Sequence, residues 1–109
     1  MKTKIEQLVA EELARANKKF PGFSSNHEAH SVLREEIEEL AEFVSAIVAP
    51  RIGWEAELWD LIKANNTTDL PECLNMLRHA TMRAIEEAIQ VAAMCDKWQQ
   101  FLDKENDRG

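Results

Sequence analysis

The chain has 109 residues, the size of one domain, and thirteen Lys and Arg against twenty Asp and Glu leave a formal charge of −7 with His neutral. That acidic balance argues against a general nucleic-acid binder, whose affinity comes mostly from basic side chains on phosphates. Apolar residues make up 45%, enough for a packed core, while three Gly, three Pro and no Tyr give too little turn chemistry for a sandwich or barrel.

Four helices are predicted from spacing and punctuation, as one all-α bundle over residues 1–109. The first runs from about Thr3 to Lys19: Ile5, Leu8, Val9, Leu13, Ala16 and Phe20 share a face, and Pro21-Gly22 ends it. The second begins near Ser25, where Ser25 and Glu28 read as a capping box. Its stripe is Leu33, Ile37, Leu40, Val44 and Ile47, closed by Pro50 and Gly53. The third is short, about Trp54 to Ala64, with Trp54, Leu58, Leu61 and Ile62 on one face, followed by an Asn65-Asn66-Thr67-Thr68 loop.

The fourth starts near Asp69, with Pro71 in its first turn and an Asp69-x-x-Glu72 cap. A straight helix to Asp103 would be roughly 50 Å long at 1.5 Å per residue. Its apolar face is wide, with Cys73, Met76, Ala80, Val91, Met94 and Trp98 on one flank and Leu74, Ile85, Ile89 and Ala92 on the other. Burial on two sides suits a central helix or a seam between copies, so a homodimer or homotetramer is expected.

No apolar run approaches the ~20 residues that span a bilayer. The N-terminal twenty residues lack the apolar block of a secretion signal. A cytoplasmic protein without a membrane partner is the expectation. Cys73 and Cys95 lie roughly 33 Å apart along one helix, beyond disulfide reach, and are expected to be buried reduced thiols. His27 and His30 stand three apart where a zinc-protease helix needs four, so surface or capping roles are favoured over a metal site.

The acids of the second helix separate by angle. At 100° per residue, Glu36 falls inside the apolar arc and Glu39 just beyond its edge, while Glu35, Glu38 and Glu42 point away. On the fourth helix Glu86 lies outside the arc and Glu87 inside it, with Arg83 and Gln90 near its edge. A buried unpaired carboxylate costs several kcal/mol before compensation, so Glu36 and Glu87 need partners. A divalent cation between them, ion pairs such as Glu87 with Arg83, and a protonated carboxyl all remain open.

The segments NHEAHSVLREEIEELAEFV (Asn26 to Val44) and AIEEAIQVAAMCDKW (Ala84 to Trp98) resemble the MazG-like all-α nucleoside triphosphate pyrophosphohydrolases over about a third of the chain. The family motif is Glu-Glu-x-x-Glu on one helix and Glu-x-x-Asp on another. Here Glu35-Glu36-Ile37-Glu38-Glu39 supplies the first half and Glu87-Ala88-Ile89-Gln90 the second, with Gln90 where the family usually has Asp. The Leu40 to Glu86 connection is also longer than usual and holds the Trp54 helix.

The resemblance implies a dimeric or tetrameric enzyme that cleaves a nucleoside triphosphate to a monophosphate and pyrophosphate. It implies Mg²⁺, or Mn²⁺, on Glu36, Glu39, Glu87 and Gln90, with Glu35 or Glu39 as general base. Arg83 and Lys97 would contact phosphates, and Trp54 or Trp59 would pack in the core or stack on a base. The alternative is a catalytically degenerate helical module whose acids serve solubility or partner binding. A third reading, an acidic mimic for a basic partner, has only the charge behind it.

Overall fold

The computed structural model describes residues 1–108 and is all-α, with four helices and no strand among them: α1 (Lys4–Lys19), α2 (Asn26–Val48), α3 (Trp54–Lys63) and α4 (Leu70–Arg108). None of the described helices is long and apolar enough to cross a membrane. The chain forms two compact units, Met1–Glu38 with Glu87 onward, and Glu39–Glu86.

Local chemistry accounts for the helix ends. Thr3 caps α1 with a reciprocal box: Glu6 N–H donates to Thr3 Oγ1 at 3.1 Å and Thr3 N–H to Glu6 Oε1 at 3.3 Å. Gly22 stands at φ +66, a conformation a side chain would strain, and its N–H donates to Asn17 Oδ1 at 3.2 Å. The expected box at α2 forms in part. Glu28 N–H donates to Ser25 Oγ at 3.1 Å, but the Glu28 carboxylate accepts from the N–H and hydroxyl of Ser24.

After α3, Asn65 at φ 54 begins a Schellman turn, in which Asn66 N–H reaches Leu61 O and Asn65 N–H reaches Ile62 O. Asp69 holds its carboxylate on Asn66 Nδ2 at 2.8 Å, joined to the preceding loop. The fourth helix runs on past Asp103 to Arg108, because no Gly or Pro interrupts it. Its 39 residues span roughly 58 Å.

In the first unit, Ala29 of α2 and Ala93 of α4 are fully covered, and Met94, next to Ala93 in sequence, is buried. Trp98 Nε1 donates to Asn26 Oδ1 at 2.9 Å, tying α4 to the start of α2, and His30 meets the Trp98 ring edge-on at 6.4 Å. Both His27 and His30 are exposed. In the second unit, Cys73 and Ala80 of α4 are buried, and the Cys73 thiol lies 3.9 Å from the Trp54 carbonyl. Gly53 is buried where α2 turns into α3. A Cβ there would lie 2.7 Å from Ala49 N and 2.8 Å from Ile47 O, so only glycine fits without moving backbone.

Two sequence expectations are corrected. Cys95 is exposed: it follows buried Met94 by 100° on α4, which turns it out of the covered face. Trp59 is 56% exposed, with the Lys63 ammonium 5.9 Å from its ring, so it is no core residue. On the second flank of α4, Leu74 and Ile85 are open, at 53% and 50% exposure, while Ile89 and Ala92 are half-buried.

Candidate functional site

Glu36 sits midway along α2, and Glu87 midway along α4. Glu87 is only 6% exposed, Glu36 is half-buried, and Glu39, one turn further along α2, is exposed. One oxygen from each of these three carboxylates lies within 4.8 Å of the others. Helical spacing brings this about: residues three apart on α2 share a side, and α4 presents Glu87 from its covered arc.

Gln90, one turn after Glu87, completes the cluster. With its amide turned to suit its neighbours, Nε2 donates to Glu36 Oε2 at 2.7 Å and to Glu87 Oε2 at 3.3 Å. In this state Gln90 is a donor to the carboxylates. An amide that turns over presents its oxygen instead, as a neutral ligand would.

A cavity of about 430 Å³ opens beside the cluster, within the first unit. Glu36 and Gln90 line it together with Arg15 and Lys19 of α1 and Lys97 of α4. Lys97 is 5% exposed. Its ammonium donates to the Phe20 carbonyl at 2.7 Å and lies 4.7 Å from the Phe23 ring centre. Burial lowers its pKa, and the Glu28 carboxylate partly opposes that. Arg15 grips Glu12, with Nε donating to Oε1 at 2.9 Å and Nη2 bonded to Oε2. Its pKa is raised by the hydrogen bond and then the charge of Glu12; burial opposes this, and Glu36 contributes least.

The other candidates fall elsewhere. Glu35 is exposed on α2. Arg83 belongs to the second unit, where it pairs with Glu86 at 3.7 Å and stacks 5.2 Å over Phe43. Lys97 therefore lines the cavity, and Arg83 does not. The α1 residues Arg15 and Lys19 were not legible as site residues from the motifs. Their one signal is the four-residue spacing that puts both on one side of α1, beside the apolar Ala16.

The donor set fits a hard divalent cation. Oxygens ligating one ion at about 2.0–2.6 Å stand at most roughly 4–5 Å apart, and the three carboxylates already gather to that scale. Bundle cores build such sites from facing helices. Comparison with models of protein families, with curated proteins and with solved structures found no match for this chain.

Proposed function

We propose that the protein is a divalent-cation-dependent nucleoside triphosphate pyrophosphohydrolase, with Mg²⁺ or Mn²⁺ held by Glu36, Glu39 and Glu87. The observation that carries the reading is the gathering of these carboxylates, of which Glu36 lines a cavity that also holds cationic side chains. The resemblance of both acidic segments to the MazG-like hydrolases supports the choice of reaction.

When bound, the cation supplies charge neutralisation at the phosphates and lowers the pKa of a bound water. Glu36 and Glu87 hold it from two helices. Glu39, the exposed member, is the carboxylate best situated to accept a proton from water, and Glu35 is the second candidate on the same helix. Gln90 either keeps Glu36 and Glu87 oriented or turns its oxygen to the cation. Lys97 braces the Phe20–Phe23 side of the cavity.

Self-association is part of the reading. Nine of the thirteen large apolar side chains found exposed lie within Glu39–Glu86, Leu74 and Ile85 of α4 among them. A second copy of the chain is the proposed cover, as a homodimer or homotetramer. Free Cys73 and Cys95 fit a reducing cytoplasm.

The test is pyrophosphate release from a nucleotide panel with Mg²⁺ or Mn²⁺, with Glu36→Gln and Glu87→Gln as controls. Release that depends on the metal and on both acids supports the proposal. No release from any nucleotide rejects it. A second reading, a non-enzymatic helical module, draws on Gln90, whose amide hydrogen-bonds both Glu36 and Glu87. Saturable metal binding lost in Glu87→Ala counts against that module.

A further inference from the structure

We propose that the α1 side of the cavity is an anion subsite, in which Arg15 and Lys19 contact phosphoryl groups of a polyphosphate ligand that the carboxylate cluster does not hold. The identity of the ligand rests on the hydrolase reading; the existence of the subsite does not.

Arg15 and Lys19 stand one helical turn apart and line the same cavity as Glu36 and Gln90. The chain carries a net charge of −7, which repels anions. Within this cavity three cations, Arg15, Lys19 and Lys97, meet three carboxylates, Glu12, Glu28 and Glu36. Local repulsion is cancelled there. A ligand with a single anionic group satisfies only one side of the cavity. Linked phosphoryl groups offer several anionic oxygens to the cations that line the cavity.

The three cations do different work. Lys97 is buried, and its ammonium is engaged by the Phe20 carbonyl and the Phe23 ring, which makes it a positioning residue for that wall. Lys19 ends near the Phe20 ring, 5.7 Å from its centre, at the exposed end of α1. Arg15 is exposed and already held by a carboxylate, Glu12, so its planar fork is ordered before a ligand arrives. A guanidinium ordered in this way loses little side-chain freedom on gripping a phosphate.

The test is calorimetric titration of the full chain with inorganic tripolyphosphate in the presence of Mg²⁺. Wild type is compared with Arg15→Gln, Lys19→Gln, the double variant, and Lys18→Gln, a change at an exposed neighbour that does not line the cavity. Titration with Mg²⁺ alone, melting temperature and pyrophosphate release are measured alongside. Each cavity substitution is expected to weaken tripolyphosphate binding about tenfold, the double variant more, and Lys18→Gln hardly at all. Mg²⁺ affinity and melting temperature stay at the wild-type level.

If wild type releases pyrophosphate but the double variant binds tripolyphosphate as tightly as wild type, the subsite is wrong and the hydrolase reading stands. If binding is lost in the double variant while no nucleotide is cleaved, the subsite is upheld and the hydrolase reading falls. A wild-type chain that does not bind tripolyphosphate overturns the subsite.

Discussion

Gln90 joins α4 to α2 by donating its amide to Glu36 at 2.7 Å, and the same nitrogen reaches Glu87 at 3.3 Å. One neutral side chain thereby bridges carboxyl groups on two helices. Gln90→Leu removes that donor and leaves the two acids in place. It is expected to destabilise the metal-free chain by about 1–3 kcal/mol, read by urea denaturation. Added Mn²⁺ should recover much of that loss by taking over the oxygens.

Gln90→Asp should act in the opposite sense on metal binding. A fourth carboxylate beside Glu36, Glu39 and Glu87 adds repulsion when no cation is present, so the melting temperature of the metal-free chain falls. Under the proposed metal site the same charge should tighten Mg²⁺ or Mn²⁺ binding, so calorimetry should give a lower Kd than for wild type. Unchanged affinity would remove position 90 from the metal's surroundings.

Angular placement along α2 and α4 made Glu36 and Glu87 legible in the sequence, because a carboxylate within an apolar arc breaks the pattern. Helix ends were legible where one residue decides them, as at Thr3 and Gly22. Asp69 marks the start of α4 as its spacing indicated, and Cys73 N–H donates to its carbonyl, but its carboxylate accepts from Asn66 Nδ2, three residues earlier. Arg15 and Lys19 escaped notice because a basic pair on a helix flank looks like any solvated face. Only the fold brings that flank to the acids of α2. Cys95 failed for a related reason: spacing defines an arc but not how much of it other helices cover.

Lys97 gives a pH signature. Burial lowers its pKa in the folded chain below the ordinary 10.5 of the unfolded one. Between the lowered value and 10.5 the unfolded chain binds more protons, so this group's contribution to stability rises with pH across that window. Lys97→Met removes the titration and keeps the apolar stem. The difference in melting temperature, wild type minus variant, should therefore grow as pH is raised from about 8 toward the unfolded value. A difference independent of pH would contradict a depressed ammonium.

The two thiols should separate kinetically. Cys95 is exposed, whereas Cys73 is buried with its pKa raised, by burial first and then by Glu57. A thiol reagent at mildly alkaline pH should modify Cys95 fast and Cys73 only on unfolding. Mass spectrometry of a partly modified sample checks the assignment. Equal rates at both positions would mean that the Cys73 region opens freely.

The corner at Gly53 matters for anyone mapping this chain by saturation mutagenesis. Its missing side chain is filled by backbone of Ala49 and Ile47, which has no rotamer to give way. Every replacement there should score as a null allele, as loss of Glu87 would under the proposed metal site. An assay that reads turnover alone would rank the corner with the acids, whereas a parallel abundance screen would assign it to folding.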